Sequence, residues 1–219
     1  MQTQSNKLNF TGQKIYVGMD THKNSWKVSI VHEELLLKTF VQPPEPETLA
    51  NYLKKNYPGA DYFTAYEASY CGYWIHYRLT ELGINSIVVN PADIPTTNKE
   101  HVQKEDKRDS RKIARCLRNG DLTPIYIPSK KTIQDRTLIR TRYTLVKEMK
   151  RFKNRVKSLL LFYGIDIPKE HNSNSGHWPK RLIIWLEKLK FEEKTSTYAL
   201  NILIKQVKNL REMLLEVTR

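Results

Sequence analysis

Cysteine is scarce in this chain. Its 219 residues hold two, Cys71 and Cys116, far apart and outside any C-x-x-C spacing. That excludes a zinc ribbon or a dithiol redox motif. Both are expected to be buried, reduced thiols. Long apolar runs are missing too, since none approaches the ~18 residues that a membrane span needs. The opening residues 1–13 are polar and lack the apolar core of a secretory signal. They read as a disordered tail on a soluble, intracellular protein with no membrane partner. Glycine-rich phosphate loops are absent, which excludes an actin-like ATPase. No internal repeat or low-complexity tract is present.

Acids are scarce in one part of the chain only. The formal net charge is +14, which points to a polyanionic partner. Residues 1–128 carry 16 Lys+Arg and 14 Asp+Glu, a net of +2. Residues 129–219 carry 21 and 9, a net of +12. The two parts are therefore expected to do different jobs.

In the first part, Ile15–Asp20, Ser25–His32 and Leu35–Val41 read as three strands of an antiparallel meander. Pro43, Pro44 and Pro46 break the chain, and Glu47–Tyr57 is helical. Asp61–Tyr66 is a strand running into Glu67, Tyr73–Leu82 a helix, and Asn85–Val89 a further strand. Strand, helix, strand, helix is the pattern of parallel crossovers. A meander followed by such units is the order of an α/β, ribonuclease H-like mixed sheet with flanking helices. Tyr70, Tyr73 and Trp74 could stack on bases, but at the start of a helix facing a sheet they are expected in the core.

A second helix begins in Lys104-Glu105-Asp106-Lys107-Arg108-Asp109-Ser110-Arg111. Asp106 and Asp109 share one face, and that face continues to Ile113 and Leu117. Acids favour a helix's first turn through the macrodipole, so the pair alone has an ordinary explanation. Asp20 ends the first strand and Glu67 follows the fourth, however, and in this topology those strands are neighbours. Four carboxylates from three stretches then converge, as two-metal phosphodiester chemistry requires of cations about 3.5–4 Å apart. His22, two residues beyond Asp20, reads as an exposed turn residue outside the site. Lys104, Arg108 and Arg111 rim the acids as candidate phosphate contacts.

Residues 121–129 read as an extended link. Beyond them lies an all-α, basic arm. Leu138, Leu145, Met149, Phe152, Val156, Leu159 and Tyr163 recur mainly at spacings of three and four, heptad-like from Leu145 onward. Lys147, Lys150, Arg151, Lys153, Arg155 and Lys157 occupy the other faces as candidate nucleic-acid contacts. A shorter helix over 179–190 and a last one through Leu200, Leu203, Val207, Leu210, Leu214 and Val217 follow. The seams could close as a hairpin within one chain. Their heptad spacing predicts instead a homodimer or higher oligomer through a coiled coil.

Four stretches carry a resemblance: Val17-Gly18-Met19-Asp20-Thr21-His22-Lys23, Tyr66-Glu67-Ala68-Ser69-Tyr70-Cys71-Gly72-Tyr73-Trp74, Val88-Val89-Asn90-Pro91-Ala92-Asp93-Ile94-Pro95 and Lys104–Asp109. The run Gly120–Pro128 and the basic helix after it also match. The chain resembles the DEDD transposases of bacterial insertion sequences, the IS110 family, which includes the Piv-type invertases. The resemblance implies a RuvC-like nuclease domain over 14–128 and Mg²⁺ (or Mn²⁺) bound by Asp20, Glu67, Asp106 and Asp109. It also implies a cytoplasmic, bacterial recombinase that acts on DNA, with a structured guide RNA as a further partner. Two neighbours depart from the family pattern, Glu105 in place of Thr and Ser110 in place of Ala, which bears on metal affinity. The family continues into a second domain with a nucleophilic serine, whereas this sequence ends at Arg219, so an N-terminal portion of a transposase is expected. Two other functions compete: a self-sufficient resolvase-like nuclease of the Holliday-junction type, and a non-catalytic nucleic-acid-binding oligomerisation module.

Overall fold

The computed structural model describes residues 9–95, 106–171 and 178–218, with the side chains of 106–109 outside that description. Two compact units divide the chain, Met1–Ile127 and Pro128–Arg219.

The first unit comprises β1 (Lys14–Thr21), β2 (Trp26–His32), β3 (Leu35–Gln42), α1 (Pro46–Asn56), β4 (Asp61–Glu67), α2 (Trp74–Glu81), β5 (Asn85–Val89), a 3-10 turn at Pro91–Asp93 and α3 (Asp106–Asn119). The strands form one sheet in the order β3-β2-β1-β4-β5. β1, β2 and β3 pair antiparallel through short turns, while β1, β4 and β5 pair parallel across helical crossovers. This is the mixed α/β, ribonuclease H-like sheet that the order of elements predicts.

Period-two alternation sends the two halves of β1 to different cores. Ile15, Val17 and Met19 join Trp26, Val28, Ile30, Leu49, Leu53, Tyr66, Ile75 and Leu79 under α1 and α2. On the opposite face Ala65 and Val89 pack with Ile113, Cys116 and Leu122. There α3 crosses Gly18 at backbone contact. A Cβ on Gly18 would stand 2.0 Å from the Ser110 carbonyl oxygen and 2.3 Å from the Ala114 nitrogen. Only a residue without a side chain allows that approach.

Two expectations change here. Residues 9–13 form a hydrogen-bonded turn rather than a loose tail. The Phe10 N–H donates to the Pro58 carbonyl at 2.9 Å, and its ring meets Tyr57 edge-on at 5.3 Å. Cys71 is half-buried, and only Cys116 is buried; both are free thiols. The link after α3 is extended, as expected, and it runs along the sheet edge: Pro124 bridges Val89 and the Ile125 N–H donates to the Val88 carbonyl at 2.9 Å.

The second unit holds α4 (Lys130–Phe162), α5 (Lys180–Lys188) and α6 (Lys194–Thr218). Ser129 caps α4 by accepting the Thr132 N–H at 3.1 Å. α4 and α6 run antiparallel: Arg142 meets Thr218 at one end, and the Tyr163 hydroxyl meets Ser196 at the other. Val156, Leu160, Leu200, Ile204 and Val207 close against each other and against Trp178, Leu182 and Leu186. The seam expected to bind a second chain is therefore filled within this one, because α5 thickens the narrow two-helix core. Leu138 stays 55% exposed, lying a turn before the point where Thr218 meets α4. Among the described residues no helix is long and apolar enough to cross a membrane.

Gly18→Ala is expected to destabilise the chain by about 1–3 kcal/mol through overpacking. Urea unfolding checks it; a midpoint equal to wild type would refute the backbone contact between α3 and β1.

Candidate functional site

Asp20 is the penultimate residue of β1, and Glu67 is the last of β4. Their strands are parallel neighbours in which Met19 stands opposite Tyr66, so the two acids come next in line. Asp20 lies two residues beyond Gly18, and Glu67 two beyond Ala65. Both acids therefore belong to the sheet face that α3 covers. Each is half-buried at the carboxyl edge of the sheet.

The direction of α3 follows from two contacts. Its Ser110 lies over Gly18, while its Arg118 pairs at 3.0 Å with Glu34, in the turn beside the start of β1. The helix thus runs antiparallel to β1, with its first turn toward Asp20. Going back from Ser110 to Asp106 covers about 6 Å of helix rise, against about 6.6 Å from Gly18 to Asp20 along the strand. The helix opens level with Asp20. Asp106 and Asp109 occupy the positions one turn before the buried Ser110 and Ile113; their side chains lie outside the described residues. Among the described residues no group of three metal-ligating side chains gathers.

His22 is 59% exposed, as a turn residue should be, yet its Nε2 lies 3.1 Å from Asp20 Oδ1. Sequence reasoning left it out. The signal was its spacing: two residues past an acid at a strand end, where the chain turns back.

Ser110, a departure from the family pattern, proves to be an anchor. It is 0% exposed, and its hydroxyl pairs with that of Ser29 at 2.9 Å. Ser29 pairs in turn with Thr39 at 3.0 Å, and Arg111 Nε donates to Thr39 Oγ1 at 3.1 Å. This polar ladder ties α3 across β2 and β3 on the side of the helix away from β4. No local motif announces it, because Ser29 and Ser110 are 81 residues apart.

The loop after Glu67 is held equally firmly. The buried Tyr66 hydroxyl donates to the Gly72 carbonyl at 3.2 Å and accepts the His76 N–H at 3.2 Å. Burial pushes its pKa far above the ordinary phenol value, so it stays a donor. Gly72 takes φ +69°, which a side chain would resist. Cys71 Sγ lies 3.6 Å from the Thr21 carbonyl. The expectation that the loop aromatics are core holds for Tyr73 alone, half-buried against the cluster under α2. Tyr70 is 76% exposed and Trp74 48%, because the turn at Ser69–Gly72 throws Tyr70 outward before α2 begins.

The basic candidates fall in several places. Lys104 lies outside the described residues, as does the side chain of Arg108. On α4, Lys147, Arg151 and Arg155 recur every four residues along one flank of the seam. Lys147 Nζ is 4.5 Å from the Tyr143 ring centre, Arg155 is 4.8 Å from that of Phe152, and Arg151 pairs with Glu148. Lys150, Lys153 and Lys157 follow the other flank. Lys153 is half-buried over Trp178 at 5.8 Å. Burial lowers its pKa, helped by the charges of Arg211 and Lys157.

Tyr66→Phe is expected to cost about 1–3 kcal/mol by orphaning the Gly72 carbonyl and the His76 amide. Amide exchange should speed up at His76; unchanged protection there would show the loop is held by other contacts.

Comparison with known proteins bears on the family to which the chain belongs. The family model of DEDD transposases of the IS110 type, described as a transposase, matches residues 17–165. A putative transposase, y4qE of Sinorhizobium fredii, is 30% identical over 145 residues, covering 66% of this chain and 36% of its own. The transposase for insertion sequence element IS1533 of Leptospira borgpetersenii is 27% identical over 186 residues, covering 83% and 52%. Another putative transposase of Sinorhizobium fredii, y4rJ, is 35% identical over 121 residues, covering 52% and 28%. The chain thus spans about half or less of the length of the curated relatives it matches. With a fold of the expected type and a family match over most of its length, this chain belongs to the DEDD transposase family of the IS110 insertion sequences.

Proposed function

We propose that the first unit is the metal-dependent, nuclease-like part of an insertion-sequence transposase, acting on DNA phosphodiesters through Asp20, Glu67, Asp106 and Asp109. One observation carries the reading: two acids end adjacent parallel strands on the sheet face where the helix bearing the other two is seated over Gly18. Hard carboxylate oxygens at one edge suit Mg²⁺ or Mn²⁺. When bound there, such a cation would stabilise charge on the phosphate and activate an attacking oxygen.

The chain's own residues hold the donors still. Asp20 is register-paired with Lys27 of β2, and Glu67 with Val89 of β5. His22 contacts Asp20 Oδ1 and orients that carboxylate. The Ser110–Ser29–Thr39 ladder keeps α3 from sliding. On this reading residues 14–128 are the catalytic domain and 129–219 a basic arm that binds DNA and a structured guide RNA. The arm's net +12 and its two basic flanks on α4 support that assignment. A dimer would have to use surfaces other than the seam between α4 and α6.

Mg²⁺ or Mn²⁺ is expected to raise the melting temperature by mass action on the folded state. Asp20→Asn with Glu67→Gln should abolish the shift, and so should Asp106→Asn with Asp109→Asn. A pair of variants that keeps the full response removes its two residues from the site.

Binding to duplex DNA is expected to weaken steeply with salt as counterions are released. Replacing Lys147, Lys150, Arg155 and Lys157 by Gln should flatten the slope of log affinity against log salt by about 0.9 for each phosphate no longer neutralised. An unchanged slope would assign DNA binding to another surface.

A further inference from the structure

We infer that Tyr70, with Trp74 four residues further on, is a platform on which a nucleobase stacks next to the phosphodiester held at the acidic edge. The inference rests on the reading of Asp20 and Glu67 given above and adds a binding surface to it.

Tyr70 follows Glu67 by three residues, and Lys23 follows Asp20 by three. The Tyr70 hydroxyl accepts the Lys23 N–H at 3.2 Å, so the ring spans the two strand ends that carry the acids. It is nevertheless 76% exposed. Trp74 stands at the same turn, its ring 6.0 Å from that of the buried Trp26, and 48% of it is open to solvent. Trp26 is the register partner of Thr21, the residue after Asp20.

Exposed aromatics on a loose loop would call for no explanation. This loop is not loose. Tyr66 clamps Gly72, Cys71 lies against Thr21, and the Ala68 N–H donates to the Val89 carbonyl at 2.8 Å. Two large rings are thus held rigid and unburied, in the state that binds a flat ligand at the least ordering cost.

The shape of a nucleotide fits this arrangement. Its phosphate and its base lie on opposite sides of the sugar. The acids belong to the face covered by α3, whereas α2, which opens at Trp74, packs on the other. A phosphate at the acids leaves the adjoining base to fall across the strand edge toward Tyr70. Every base has a π-face, so such a contact tolerates any sequence and favours single-stranded or unpaired nucleotides.

The test uses the whole chain and single-stranded DNA substituted with 5-iodouracil, which crosslinks to a stacked ring on irradiation. Crosslinks are expected at Tyr70 or Trp74. Tyr70→Phe should keep the crosslink, since the ring remains. Tyr70→Ala should lose the crosslink at position 70 and weaken binding by about 5- to 100-fold, the range for one base–aromatic stack. An unchanged melting temperature, expected for so exposed a ring, confirms folding. Crosslinks confined to residues 128–219, or wild-type affinity in Tyr70→Ala, would overturn the platform. The metal response of Asp20→Asn with Glu67→Gln is read alongside. If that response is lost while Tyr70→Ala behaves as wild type, the platform alone is refuted. If Tyr70→Ala fails to crosslink at position 70 while the carboxylate variants keep their response, the acids leave the site and the platform stands.

Discussion

Gly18 is where helix and sheet touch backbone to backbone, and the first unit is arranged around that contact. Any side chain there would drive into the Ser110 carbonyl and the Ala114 amide. Lifting α3 by the width of a methyl group would strip Ile113 and Ala114 of their packing on the sheet. It would also raise the helix's first turn away from Asp20. One missing Cβ therefore sets both the second core and the level at which the helix meets the carboxyl edge of β1. An edge of like-charged acids repels itself, so its geometry must be imposed by contacts elsewhere.

Those contacts lie on either side of the acids. On the α3 face, the hydroxyls of Ser110, Ser29 and Thr39 form a ladder, buried at the two serines, that fixes the helix laterally. On the α2 face, the Tyr66 phenol clamps the loop that leaves Glu67. Neither group is charged, and burial holds the phenol firmly in its donor form. Rigid neutral scaffolding on both faces holds Asp20 and Glu67 at the ends of their strands. In the arm the logic is reversed. There α4 and α6 spend their apolar seam on each other and leave bases along both flanks, several of them packed over aromatic rings.

Much of this was legible in the chain itself. Period-two runs, proline breaks and the strand–helix alternation determined the order of elements and the mixed sheet, because those signals are local and hydrophobic. The acids at Asp20 and Glu67 could be placed at neighbouring strand ends as soon as the topology was known. The seams of the arm were legible for the same reason, and so was the uneven distribution of charge. What sequence periodicity left open was decided by contacts between residues distant in the chain. The arm closes on itself because α5 supplies Leu182 and Leu186, and the segment before it Trp178, as a third wall, which heptad spacing does not encode. Ser110 became an anchor through Ser29, and His22 came within reach of Asp20 when the chain turned back. Tyr70 and Trp74 stand in solvent because Ser69–Gly72 turns before α2 begins. Local pattern determines which faces are apolar; only the tertiary structure decides what each face meets, since that depends on chain closure and steric fit between segments far apart in sequence.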